Sequence, residues 1–214
     1  MKETWLIRHA ESLANVGAAT STPMEIPLTD NGAHQAKILA DAISVRPDHV
    51  FVSPYVRSQQ TAEPFLQRFE DMPVEVLNVQ EFTYLSIARC RGTSQVERRP
   101  AVAEYWQRND PNYCDGDGAE SFVEFFGRVD DLTRRICETD SKLGFVYTHE
   151  QFIKAFIFRA MFPGRAVDTD LMKDFDGYMM SYAIPNASVT RLKIDEEREI
   201  YVGKIDDSLI KTNA

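Results

Sequence analysis

Short apolar runs alternate along the chain with longer stretches of helical period. Trp5-Leu6-Ile7 is the first run, within a strand predicted over Thr4–Ile7, and Val50-Phe51-Val52 is the second, stopped at Ser53-Pro54. VEVLNV at 74–79 reads as a third strand. Phe145-Val146-Tyr147 reads as a fourth, ending at Thr148-His149. Behind Thr29 or Asp30 as N-cap, Ala33, Ala36, Leu39, Ala40 and Ile43 recur on one helical face. YVRSQQTAEPFLQRF predicts a further helix in which Pro64 marks a kink or break. The segment 119–138 carries the widest stripe, with Phe122, Phe125, Phe126, Val129, Leu132 and Ile136 in register. A helix from about Gln151 follows the fourth strand, and NASVTRLKI and REIYVGKI alternate as two paired strands.

From Glu81 to about Gly118 the rhythm is lost, apart from a helix around AVAEYWQR and the turn-rich DPNYCDGDG. About 82–118 therefore reads as an insertion covering one end of the sheet, within a single domain of residues 1–214. Strands alternating with helices predict an α/β three-layer sandwich, a mainly parallel sheet flanked by helices. In such sheets ligands bind beyond the carboxyl ends of the strands. Those ends carry Arg8-His9, Arg57 one turn into the helix after Ser53-Pro54, Glu81 and His149. Two arginines, two histidines and a carboxylate on one sheet edge suit a phosphoryl group.

A formal net charge of -9 argues against a general nucleic-acid or anionic-membrane surface, while leaving room for arginines that reverse the field inside one pocket. Cys90, Cys114 and Cys137 are odd in number and in no CxxC pairing, which fits reduced thiols. No secretory signal pattern opens the chain, and the apolar stretch 151–162 is interrupted by Lys154 and Arg159. The expectation is a soluble, cytoplasmic protein.

The ordered motifs resemble the histidine phosphatase superfamily, also called phosphoglycerate mutase-like. They are Arg8-His9-Ala10-Glu11-Ser12 with Asn15, LTDNGAHQA at 28–36, SPYVRSQQTA at 53–62, Ala119-Glu120-Ser121, and Asn186-Ala187-Ser188-Val189. The resemblance runs from residue 4 to about 192. It implies that His9 is the nucleophile of a phosphohistidine intermediate. It also implies that Arg8 and Arg57 grip the phosphoryl oxygens as planar forks, with protonated His149 as a third cationic donor. Glu81 is the expected acid that protonates the leaving group and then activates water. Glu11, Asp115, Asp117, Glu120 and Glu150 are further carboxylates that could approach the pocket. Asn15 is expected to contact phosphate or substrate, and no metal or cofactor is implied.

One departure stands out: the family often has glycine after the second histidine, where this chain has Glu150. A carboxylate there lowers the pocket's positive potential or discriminates the leaving group, so Glu150 joins the candidate substrate contacts. Arg89, Arg91, Arg98 and Arg99 read first as a solvated face. As a second reading they form a lid gripping another anionic group, with Arg89 and Arg91 as candidate contacts. The expected activity is metal-independent phosphomonoester hydrolysis. A mutase-type phosphotransferase and a catalytically silent phospholigand-binding protein are the alternatives. The expected partner is a phosphorylated small molecule, with a phosphoprotein and a homodimer both left open.

Overall fold

The computed structural model describes residues 1–211. Its single six-stranded sheet has the order β3-β2-β4-β1-β5-β6. The strands are β1 (Lys2–Arg8), β2 (His49–Val52), β3 (Val74–Val76), β4 (Leu143–Thr148), β5 (Val189–Ile194) and β6 (Ile200–Asp206). The first four are mutually parallel; β5 runs antiparallel to β1, and β6 to β5. Successive side chains of a strand point to opposite faces, so a continuous apolar run feeds two cores. Trp5 and Ile7, Val50 and Val52, and Phe145 and Tyr147 face one core with Val189. Leu6, Phe51 and Val146 face the other with Leu192 and Ile194.

Helices α1 (Asp30–Ala42) and α2 (Val56–Leu66) cover the first core. Helices α5 (Phe122–Glu138), α6 (Glu150–Met161) and α7 (Thr169–Met179) cover the second. This is the expected α/β sandwich. All six positions of the 122–136 stripe are buried, and a reciprocal capping box of Ser121 and Glu124 starts α5. Phe125 lies 4.3 Å from Phe82, ring over ring, and so ties α5 to the chain that leaves β3.

Several elements differ from the sequence pattern. Strand β3 ends at Val76, because the chain turns inward: Val79 is buried and its carbonyl accepts from Thr148 Oγ1 at 2.5 Å. Helix α2 runs through Pro64 to Leu66 without breaking. On α1 it is Gly32, not Ala33, that joins Ala36, Leu39 and Ala40 against the core. A Cβ at Gly32 would sit 1.9 Å from the Glu11 carbonyl oxygen, so only glycine admits this approach. The insertion holds a short α3 (Ile87–Cys90) and α4 (Gln95–Arg108). Helix α4 starts six residues before AVAEYWQR, at a Ser94–Glu97 capping box, with Pro100 inside it. Helix α7, capped by Asp168, had no counterpart in the sequence pattern.

Candidate active site

Strand β1 ends in Arg8, and His9 follows at the carboxyl edge, where its N–H donates to the Thr148 carbonyl at 2.9 Å. Both side chains are buried. His9 Nδ1 lies 2.7 Å from the carbonyl of Ala10, and Arg57 Nε donates to His9 Nε2 at 3.2 Å. An arginine can only donate, so Nε2 carries the lone pair and Nδ1 carries the proton. Burial, then Arg57 and Arg8, push the imidazole well below its ordinary value, so the ring is neutral. A fixed, neutral imidazole with a lone pair on Nε2 is a nucleophile's arrangement.

Arg57 comes from the first turn of α2. Its Nη1 donates to the Pro23 carbonyl at 2.6 Å, and its guanidinium lies 4.9 Å from the Tyr55 ring centre. Burial pushes it down to about 10, which still leaves it charged at neutral pH. Arg8 donates through Nη1 to the Ile184 carbonyl and through Nη2 to Glu150 at 3.1 Å. Its Nε is buried and has no partner among the described residues.

His149 follows β4 as the N-cap of α6, its ring 5.1 Å from that of His9. It is wholly buried rather than part of the cavity wall. Its Nε2 lies 2.7 Å from Ser53 Oγ and 3.1 Å from Ser58 Oγ, and Nδ1 has no partner among the described residues. The expectation of a protonated His149 is corrected here. Burial first, then Arg57 and Arg8, push it well below its ordinary value, so it is neutral without an anion beside it.

Glu81 lies five residues past β3 and accepts from the Gln151 N–H at 2.9 Å. Burial pushes its carboxyl up against the opposing pull of Arg57 and Arg8, and Glu150 adds to the rise. Of the other carboxylates weighed from sequence, only Glu150 lines the cavity. Glu11 accepts from Thr29 Oγ1 at 2.6 Å, Glu120 pairs with Arg128 at 2.7 Å, and Asp115 accepts from the Ser86 N–H at 2.9 Å. Asn15 lines the cavity, with its Oδ1 accepting from the Ser12 N–H, Ser12 Oγ and Asn186 Nδ2.

The cavity measures about 560 Å³. Beyond Arg8, His9, Arg57, Glu81 and Asn15, its wall includes Phe82, Tyr84, Leu85 and Val102, then Arg98 and Arg99 from α4. Arg89 and Arg91 are not brought to it. Arg89 is exposed and paired with Glu104 at 2.9 Å and Asp115 at 3.3 Å; Arg91 is exposed at the end of α3. Two residues were not among the candidates for the site. Lys154, four residues after Glu150, lines the cavity with its ammonium bonded to that carboxylate at 2.9 Å. Asn186 donates to the His9 carbonyl at 3.0 Å and links it to Asn15. Their signals were the i,i+4 Glu–Lys spacing and the Asn186-Ala187-Ser188-Val189 motif.

The model of the histidine phosphatase superfamily (branch 1) matches residues 4–207. The adenosylcobalamin/alpha-ribazole phosphatase of Salmonella typhimurium is 30% identical over 136 residues, 59% of this chain and 66% of that protein. The Escherichia coli K12 protein of the same name is 31% identical over 140 residues, 63% of this chain and 66% of its own. The match thus spans just under two thirds of the length of these relatives. Among solved structures, the alpha-ribazole phosphatase from Shigella flexneri superposes with a TM-score of 0.73 at 22% identity, covering 96% of each chain. Phosphoserine phosphatase from Entamoeba histolytica gives 0.70 at 18%, covering 97% of this chain and 98% of that one. At these identities the structural likeness is one of fold.

Proposed function

The chain belongs to the histidine phosphatase superfamily, branch 1, and from that premise we propose that it hydrolyses phosphomonoesters through a phosphohistidine on His9. The observation that carries this reading is the neutral His9 ring, its Nε2 lone pair facing the buried Arg57 guanidinium, with Arg8 as a second buried cation acting on it. Nε2 attacks phosphorus as the bond to the leaving oxygen breaks, and Glu81, whose carboxyl burial pushes toward its protonated form, delivers a proton to the oxygen. The resulting Glu81 carboxylate takes a proton from water as the water oxygen attacks the phosphohistidine. Phosphate leaves, and His9 is neutral again. Arg8 and Arg57 stabilise the equatorial oxygens. His149 gains its positive charge when the phosphoryl dianion arrives beside it.

The far wall supports a leaving group with an apolar or aromatic face, set against Phe82, Tyr84 and Val102, and a polar or anionic end toward Arg98 and Arg99. The names of the curated relatives make alpha-ribazole phosphate the first natural ester to try. No helix among the described residues is long and apolar enough to cross a membrane, and all three cysteines are unpaired. Both facts fit the proposed cytoplasmic setting. The test is p-nitrophenyl phosphate hydrolysis from about pH 5 to 8 with EDTA present, for wild type and His9→Ala. Wild-type turnover that disappears in His9→Ala supports the proposal. A wild type that binds phosphate without turnover refutes it in favour of a binding protein.

A further inference from the structure

Glu150 and Lys154 are charged, face the cavity, and take no part in the steps above. The Lys154 side chain is only 4% exposed, a position that a cation tolerates only with close partners. It has three: Glu150 Oε1 at 2.9 Å, the Met179 carbonyl, at the end of α7, at 2.8 Å, and the Tyr182 ring, whose centre is 5.1 Å away. Glu150 is thereby pinned. Its Oε1 also accepts from the Ile184 N–H at 3.3 Å, and its Oε2 takes Arg8 Nη2 at 3.1 Å. On the same guanidinium, Nη1 donates to the Ile184 carbonyl. The outer end of Arg8 is therefore tied down twice, while the buried Nε is left with no partner. Nε–H and one N–H of Nη2 share an edge of the planar group, and that edge is the side-on fork for two phosphoryl oxygens.

We propose that Glu150, anchored by Lys154, is a positioning residue that holds Arg8 by its outer nitrogens, leaving the Nε–H without a protein partner for a phosphoryl oxygen to take, and keeps a negative charge beside Glu81. The proposal rests on the phosphatase reading of the site. The groups that face Glu81 are Arg8 from β1, Arg57 from α2, Glu150 and the Gln151 N–H from α6, and Tyr84 on its own segment. The two arginines favour loss of the Glu81 proton, and Glu150 favours its retention. Where the family often has glycine, this chain thus carries a carboxylate that both orients one cation and tempers its pull on the acid.

The variants are Glu150→Gln, Lys154→Met and the double substitution, which removes both charges together and leaves the local net charge unchanged. Isothermal titration with inorganic phosphate and the pH profile of kcat/KM are the two readouts. In the double variant, Arg8 loses its charged tether without any change in net charge. Its phosphate dissociation constant should rise about tenfold, the worth of one charge-assisted hydrogen bond. In Glu150→Gln the basic limb of the profile should move to lower pH, and in the double variant it should return part of the way. Neither change follows from a merely structural role. Wild-type phosphate affinity in the double variant, with an unmoved basic limb in Glu150→Gln, overturns the proposal. Should Glu150→Gln fail to fold because Lys154 is left buried and unpaired, the titration of the double variant decides. A wild type that turns over no ester would sink the phosphatase reading alone, since the phosphate titration still tests the tether.

Discussion

Arg57 separates charge from shape in this site, because lysine keeps the first and loses the second. The guanidinium meets three partners at once: His9 Nε2 at 3.2 Å, the Pro23 carbonyl at 2.6 Å and the Tyr55 ring at 4.9 Å. A lysine ammonium is a single point on a flexible stem and cannot reproduce a planar fork at that position. Removing one preorganised donor from a site where charge develops costs roughly 100- to 1000-fold in kcat, about 2.7–4 kcal/mol. Arg57→Lys should fall in that range. Its pH profile should keep its shape, since the unit charge that depresses His9 and opposes the rise of Glu81 is still present. Arg57→Ala removes that charge as well. His9 then becomes easier to protonate and Glu81 harder to ionise, so both limbs move to higher pH. Initial rates on p-nitrophenyl phosphate across about pH 5 to 8 read both effects. The reasoning is refuted if Arg57→Lys retains more than about a tenth of wild-type kcat, or if Arg57→Ala leaves both limbs in place.

Glu81→Gln cannot give up a proton, so it should slow esters with poor leaving groups far more than p-nitrophenyl phosphate; equal losses on both in steady-state rates would remove Glu81 from the acid role. Gly32→Ala brings a methyl group to 1.9 Å from the Glu11 carbonyl, forcing α1 away from the loop that follows His9. With reacting groups displaced by ~1 Å, kcat should drop on the order of 100-fold, alongside a lowered melting temperature. Phe125→Ala empties a fully buried site stacked on Phe82 and should cost about 3–5 kcal/mol, a fall of about 6–20 °C by calorimetry. The buried His9 has its folded value below the unfolded 6.5, so the unfolded chain binds more protons there and stability is lost as pH falls through that value. In phosphate-free urea titrations, His9→Gln should flatten that slope by about 1.4 kcal/mol per pH unit.

What the sequence disclosed and what it hid divide along a physical line. The catalytic candidates were legible because each sits within a few residues of a central strand buried on both faces. Such strands write themselves as unbroken apolar runs: Trp5-Leu6-Ile7, Val50-Phe51-Val52 and Phe145-Val146-Tyr147. Where a run stops, the chain has reached the sheet edge, and Arg8, His9, Arg57 and His149 lie within five residues of such a stop. Glu81 was the weaker case because β3 is a three-residue exposed edge strand, and an inward turn over 77–80 carries the acid to the site.

The opposite end of the cavity was not legible, because no local rule decides it. Arg89, Arg91, Arg98 and Arg99 are alike in sequence, yet only the last two reach the cavity wall. The difference is made by α4, which starts at the Ser94–Glu97 capping box and presents Arg98 and Arg99, while Arg89 is drawn away by Glu104 and Asp115. Pro100 masked that start, since proline is a more familiar first residue of a helix than an interior one. Lys154 was hidden for the converse reason. In a pattern of apolar positions it reads as an interruption, and its meaning needs Glu150 and the Met179 carbonyl in place. The sheet edge thus builds the phosphoryl end from adjacent residues in a pattern that a sequence can carry. The opposite end of the cavity is assembled by α4 and the segment after β3, Phe82 to Leu85, meeting across the fold, so its lining lies in tertiary packing.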